Sequence, residues 1–334
     1  MDRAVVQHAA LCYGVTSAQL RPLSGGHYSA VYEFSRGEEA CVLRITPDEA
    51  GLDPTRGMIE WMRFLCDRGG PAARPVFSVH RRLVEVAEDG DQRYLITAFE
   101  KARGVLAETL PMEQWSDELF QEIGKAVGSV HALSRGYVPS DPALRRPEWN
   151  AGGNCFSAGE ELAAAQATIR EKYEAVLSYV LALPKGEDSY GLVHADLHLA
   201  NLCVEPQSHA VTLLDFDDCA YGWYIMDIAM LLFDILVLYR GAAREPFAAR
   251  FLEHYLRGYV AQSSTDAFWV QQLPHFLKLL EMVVYARLSR NYNPDDEDPW
   301  VSAFMPNRRE RIEHGVPYVQ LDFAAIPERV RADC

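Results

Sequence analysis

Residues 190–218, YGLVHADLHLANLCVEPQSHAVTLLDFDD, decide how this chain is read. They set His194, Asp196 and Asn201 in one short loop, and a β-rich run then delivers Asp215 and Asp217. Asp196 and Asn201 are five residues apart, a spacing that fits a tight loop with the two side chains facing different partners. An acid poised to take a hydroxyl proton, followed by an amide and a carboxylate able to hold Mg²⁺ against a nucleoside triphosphate, is the layout for phosphoryl transfer. His194 is expected to brace the loop by hydrogen bonding. Asp215 closes an apolar run, LLDF, where carboxylates commonly meet ligands. Asp217 has two readings, a further metal ligand or an acceptor for nearby backbone.

Working outward, the composition describes a globular chain. It has 334 residues, 49% hydrophobic and 24% charged, enough to bury a large core. The formal net charge of −15 argues against nucleic-acid binding, which needs clustered Lys and Arg. The seven cysteines are scattered and form no CxxC, so they are expected to be reduced, buried thiols of a cytoplasmic protein. The opening MDRAVVQHAA lacks the basic and apolar regions of a signal peptide. The longest apolar run, 223–239, is interrupted by Asp227 and Asp234, so a buried helix is expected there and no membrane span. Asp227, in the first turn of that helix, is placed to accept backbone N–H groups from the catalytic loop.

The first hundred residues read as β-rich with one helix. SAVYEF (29–34) and ACVLRI (40–45) alternate around the turn-forming RGEE, which predicts a hairpin. TRGMIEWMRFLCDRG (55–69) has helical apolar spacing and a glycine stop. RPVFSV (74–79), RRLVEVAED (81–89) and RYLITAFE (93–100) are three more predicted strands. After AFEKARG (98–104) helical periodicity takes over, in 112–134, 160–183, 245–260 and 273–292. The expected plan is α+β and bilobal: a nucleotide-binding lobe over 1–100, and a helical catalytic and acceptor-binding lobe over 101–334.

No lysine precedes Lys101. A kinase-like β lobe normally presents one on its third strand to the α- and β-phosphates. In VLRI that position falls to Arg44, which keeps the charge and adds a two-pronged fork. Its expected partner is Glu60, in the helix MIEWMRF. The turn LSGG, with Ser24, Gly25 and Gly26, offers backbone N–H groups to phosphate.

Together LSGGHYSAVY, VLRI, Glu60, AFEKARG, HADLHLAN and LLDFDD resemble the aminoglycoside phosphotransferase and choline kinase-like superfamily. Within it the chain looks most like the phosphotransferase-enzyme-family branch near type II homoserine kinase and stress response kinase A. The resemblance covers nearly the whole chain. It implies a protein-kinase-like fold, ATP bound at the hinge beside Phe99 and Glu100, and Mg²⁺. It also implies Asp196 as base, Asn201 and Asp215 as metal ligands, and Asp227 as a brace. Two departures stand out: Arg44 for the usual lysine, and HAD for the frequent HGD.

Competing readings use the same residues differently. LLDFDD imitates the DxD of haloacid dehalogenase-like phosphatases, with Asp215 as nucleophile, but that motif belongs near the N-terminus of a parallel sheet. His194, Asp196 and His198 form an HxDxH without a second histidine cluster to complete a two-metal hydrolase site. A nucleotide-binding pseudokinase is the non-catalytic alternative. The leading reading is an ATP-dependent kinase acting on a hydroxyl of a small molecule (an amino alcohol, an aminoglycoside or a homoserine-like compound), with neither nucleic acid nor membrane as partner. Acceptor choice is expected to lie near 140–160 and 285–310. There NYNPDDEDPWVSAF (291–304) reads either as a site for a cationic acceptor or as a solvated loop.

Overall fold

A computed structural model describes residues 2–23, 29–49, 51–151, 167–239, 241–290, 292–293 and 298–332. The LSGG turn residues Ser24, Gly25 and Gly26 lie outside that set, as do Cys155 and Cys334. The chain separates into two compact units. The first comprises Met1–Gly104, Tyr137–Arg146 and Thr212–Asp217, and the second Val105–Gly136, Pro147–Val211 and Asp218–Cys334.

The first unit is built on one antiparallel sheet of five strands: β1 (Arg21–Pro22), β2 (Ala30–Arg36), β3 (Glu39–Pro47), β4 (Glu85–Asp89) and β5 (Gln92–Glu100). Their order is β1-β2-β3-β5-β4. The expected hairpin is β2–β3, with Gly37 at φ 64° in its turn, a conformation that glycine adopts without strain. Along β3, Cys41, Leu43 and Ile45 are buried, while Val42, Arg44 and Thr46 face the other way. The buried set joins Phe34, Tyr94, Ile96 and Ala98 in a core with Val5, Ala9, Ala10 and Cys12 of helix α1 (Arg3–Cys12). Helix α1 is a second helix where the sequence reading expected one. Its cap is Asp2, whose side chain accepts from the Ala4 N–H. Helix α2 (Leu52–Cys66) buries Met58, Ile59, Trp61, Met62 and Leu65. RPVFSV is not a strand. Its N–H groups go to separate partners: Val76 to the Ala98 carbonyl, Ser78 to Arg82 and Val79 to Cys12.

The later segments of this unit are tied in by hydrogen bonds. Leu213 exchanges backbone bonds with Pro71 and Ala73, and Phe216 packs its ring edge-on against Trp61 at 5.3 Å.

The second unit is mainly helical: α3 (Asp117–Ser134), α4 (Ala167–Leu181), α5 (Ile225–Leu238), α6 (Arg244–Val260), the single turn α7 (Ala267–Val270), α8 (Leu273–Ser289), α9 (Pro299–Phe304), α10 (Arg308–Glu313) and α11 (Ile326–Ala332). Gly124 and Gly258 let α3 and α6 approach closely. A Cβ at Gly124 would meet the Tyr255 carbonyl oxygen at 1.9 Å, and one at Gly258 the Gln121 carbonyl oxygen at 1.9 Å. Short strands β6 (Val105–Leu106) and β8 (Leu202–Val204) pair, as do β7 (Tyr190–Val193) and β10 (Ala220–Trp223). Strand β9 (Val211–Leu213) leads into LDFD, so Asp215 stands two residues beyond the strand rather than at its end. The run 223–239 is the buried helix expected of it, apolar almost all round. Among the described residues no helix is long and apolar enough to cross a membrane. Cys12, Cys41, Cys66, Cys203 and Cys219 are buried free thiols, in line with the expectation.

Candidate active site

The first unit presents a cationic side chain to two carboxylates. Arg44 leaves the β3 face opposite the core. Its Nη1 donates to Asp215 Oδ1 at 3.0 Å and its Nη2 to Asp217 Oδ1 at 2.5 Å. Burial works against its charge, but Asp217 and Asp215 outweigh that and hold the guanidinium above its ordinary pKa. The two aspartates remain 49% and 44% exposed, so they are open to exchange partners. Asp215 has φ 54°, a left-handed conformation uncommon for a non-glycine residue and frequent at functional turns.

A second arginine, which sequence reasoning missed, fixes the same turn. Arg146 is buried, donating Nη1 to the Pro54 carbonyl at 2.9 Å and Nη2 to the Asp217 carbonyl at 2.5 Å. It ties the start of α2 to the Asp215–Asp217 turn. With Arg44, Thr46, Thr55 and Thr97 it lines a cavity of about 60 Å³ in this unit.

Glu60 does not meet Arg44. Its carboxylate accepts from Tyr137 Oη at 2.9 Å, from the Ser140 N–H at 2.8 Å and from Ser140 Oγ. It therefore anchors the 137–146 segment to α2, and the carboxylate partners of Arg44 are Asp215 and Asp217. Phe99 is buried on β5, with the Arg44 guanidinium 5.8 Å from its ring centroid. The Glu100 N–H donates to the Arg74 carbonyl and the Lys101 N–H to the Ala40 carbonyl, so these hinge donors are used inside the unit.

The second unit holds the HADLHLAN loop from below. His194 follows β7 directly, and from there α5 supports the backbone through two buried carboxylates. Asp227 accepts from the N–H groups of His194 at 2.8 Å and Ala195 at 2.9 Å. Asp234, two helical turns on, accepts from the Leu199 N–H at 2.9 Å and from Trp300 Nε1 at 2.7 Å. Seven residues is nearly two turns, so both acids lie along one face of the helix. The sequence signal was two acids interrupting an apolar helix at that spacing, and only Asp227 was read as a support. Asp234 draws Trp300 of the 291–304 segment into this structural role; residues 291 and 294–297 lie outside the described set.

The two acids are shifted in opposite directions. Burial alone would raise Asp227, but His131 Nε2 at 3.0 Å and the loop N–H groups hold it below the usual carboxylate range. His131 is itself buried against Tyr259 Oη at 2.9 Å. At Asp234 burial outweighs the Leu199 and Trp300 donors and the nearby His198, so its carboxyl is pushed up.

On this support the loop side chains Asp196, His198 and Asn201 converge. Asn201 Nδ2 donates to the Asp196 carbonyl at 2.9 Å and to Asp196 Oδ2 at 3.3 Å, leaving its Oδ1 oxygen for another partner. The Asp196 N–H points to His194 Nδ1 at 3.3 Å. His198 Nε2 lies 3.5 Å from Asp196 Oδ2 and 3.1 Å from Asn201 Nδ2. Burial lowers His198, but the Asp196 carboxylate outweighs it, so the imidazole is held above its ordinary value. Ala195 has φ 62°, which gives the HAD departure a physical meaning: the methyl sits where glycine is free of strain.

Comparison with known proteins follows this geometry. The model of the phosphotransferase enzyme family matches residues 19–267. The chain belongs to that family. It is thus an enzyme of the kinase class, with the mixed fold expected of it. This phosphotransferase is 30% identical over 331 residues to amicoumacin kinase of Bacillus subtilis strain 168, covering 97% of this chain and 96% of that one. A solved amicoumacin kinase in complex with AMP-PNP, Ca²⁺ and Ami matches with a TM-score of 0.87 at 28% identity, over 96% of each chain. A microcompartment-associated aminopropanol kinase shares the fold, with a TM-score of 0.71 at 22% identity over 99% of this chain and 98% of that one.

Proposed function

We propose that this phosphotransferase moves the γ-phosphoryl group of ATP, held with Mg²⁺, to a hydroxyl of a small molecule. The observation that carries the reading is the braced loop: Asp196 and Asn201 joined by a hydrogen bond above two buried carboxylates. Asp196 orients the acceptor hydroxyl and takes its proton late in the transfer. Asn201 supplies its Oδ1 oxygen to the metal, and Asp215 and Asp217 supply carboxylate oxygens. These all-oxygen donors suit a hard divalent cation, and the two carboxylates already receive a cation, the Arg44 guanidinium. When bound, Mg²⁺ neutralises charge on the phosphoryl oxygens. With Asp215 and Asp217 given over to the metal, the Arg44 fork would serve the phosphates. Phe99 and Glu100 border the nucleotide base, and Ser24, Gly25 and Gly26 offer backbone N–H groups to its phosphates. His194 keeps the loop in register.

The solved relative's complex with AMP-PNP and Ca²⁺ supports a nucleotide with a divalent cation as co-substrate. Amicoumacin is the first acceptor to test, because that kinase matches this chain nearly end to end. A coupled ADP-release assay with Mg²⁺-ATP decides the matter, using amicoumacin, 1-amino-2-propanol, homoserine, choline and an aminoglycoside. The reading expects one acceptor to raise ADP release far above the rate without acceptor, with phosphate recovered on its hydroxyl. A protein that binds ATP analogues yet releases no ADP with any acceptor would support the pseudokinase instead.

A further inference from the structure

Helix α1 ends on a group of metal-binding side chains far in sequence from the phosphotransfer residues. Cys12, the last residue of α1, is buried. The 78–85 turn is fastened to that helix end by the Val79 N–H, which donates to the Cys12 carbonyl at 2.8 Å. This contact brings in His80 from the turn and Glu85 from the start of β4. One donor atom from each of Cys12, His80 and Glu85 lies within 4.8 Å of the others, the one such group of three or more His, Cys, Asp and Glu among the described residues. His8, one helical turn before Cys12, brings its Nε2 to 3.5 Å from Cys12 Sγ. The turn reaches this shape through Arg81, held at φ 61°.

We propose that Cys12, His80 and Glu85 bind a thiophilic divalent cation such as Zn²⁺, with water in the fourth position. Sulfur, imidazole and carboxylate completed by water form a four-coordinate set suited to zinc, while Mg²⁺ prefers oxygen alone. His8 and His80 are exposed and give the ion a route in; the thiol and carboxylate are buried beneath them. His80 Nδ1 sits 2.8 Å from Glu85 Oε1, so the pair can act as two ligands or as a ligand oriented by its carboxylate. Ser78 Oγ donates to the same Glu85 oxygen at 2.7 Å and holds it in place. Arg82, 3.4 Å from Glu85 Oε2 and 70% exposed, is the cation the metal displaces.

On binding, the Cys12 S–H bond breaks, its proton passes to solvent, and a metal–sulfur bond forms. Burial and the neighbouring Glu85 charge push the free thiol up to about 11, so the metal-free site keeps this proton. The bound ion supplies the positive charge that favours the thiolate. It also cross-links α1 to the segment entering β4, clamping the helix that covers one face of the sheet.

Cobalt titration tests the site directly. The full-length protein, with excess Mg²⁺ and AMP-PNP present, is titrated with Co²⁺ while the thiolate-to-cobalt absorption in the near ultraviolet is followed. The expected result is one equivalent of Co²⁺ with that absorption, removed by one equivalent of Zn²⁺. Cys12→Ser should lose the absorption with its far-ultraviolet circular dichroism unchanged. His80→Ala, at an exposed position, should fold normally and bind at least about tenfold more weakly. Zn²⁺ should raise the melting temperature of the wild type and raise that of His80→Ala less at the same concentration. If wild type gives no thiolate absorption at stoichiometric Co²⁺, or Cys12→Ser keeps it, the site is overturned. Glu85 is then a buried acceptor for its turn.

Discussion

The HADLHLAN loop and the cluster around Arg44 are held by opposite means. The loop rests on two carboxylates that are almost fully buried and bonded to its own N–H groups. The cluster is an ion pair between one arginine and two aspartates that stay about half exposed. A group that must hold one geometry through every turnover is fixed by bonds that water cannot replace. Groups that the proposed function asks to trade partners for metal and nucleotide are held by bonds that water and ions can replace. The same residue type, aspartate, serves as a buried brace in one region and as a half-exposed ion-pair partner in the other. Burial and partner decide which.

Substitutions can break this contrast. The largest stability loss is expected at Asp227. Asp227→Ala leaves two loop N–H groups and His131 without their acceptor, and should cost about 3–5 kcal/mol in urea unfolding. Asp234→Ala, which strands one loop N–H and Trp300, should cost about 1–3 kcal/mol.

The two braces should also respond to pH with opposite sign. Asp227 is lowered in the fold, so its ionised form stabilises above the unfolded value of 3.8, and that contribution fades as pH falls below it. The destabilisation by Asp227→Asn should therefore shrink on acidification below pH 3.8. Asp234 is raised, so its contribution grows as pH falls through the folded pKa toward 3.8. Asp234→Asn should be more destabilising near pH 4 than at pH 7. Parallel pH profiles for the two variants would remove the contrast between the two shifts.

Smaller effects sharpen it. Ala195→Gly relieves a left-handed alanine in the braced loop and should stabilise by about 0.5–1 kcal/mol, read as a higher melting temperature. Asp215→Asn, in the exchangeable cluster, should change stability by less than about 1 kcal/mol while abolishing turnover. A loss as large as that of Asp227→Ala would make Asp215 a structural residue.

Much of this was legible in the sequence, for local reasons. The β2–β3 hairpin declared itself through alternation and a glycine turn, and α5 through an apolar run too broken to span a membrane. Asp227 was readable as a support because its place in a first turn is a short-range fact. What escaped was long-range. Glu60 looked like the partner of Arg44, yet its acceptor groups are taken by Tyr137 and Ser140, nearly eighty residues on. Arg146 belongs to the same returning segment, and nothing around it in sequence points to the Asp217 carbonyl. RPVFSV has a strand-like composition, but its hydrogen bonds are scattered among three partners. Helix α1 carried its signal in the Asp2 cap and in Val5, Ala9 and Cys12 at helical spacing, a pattern of under three turns that did not stand out in the sequence.

The direct test of the central claim is Asp196→Asn, measured as single-turnover phosphoryl transfer beside AMP-PNP binding. The braced loop predicts transfer slowed about 10²–10⁴-fold with nucleotide affinity unchanged, since Asn keeps the shape and loses the proton acceptor. Transfer at the wild-type rate would show that the carboxylate held by this loop is not the base.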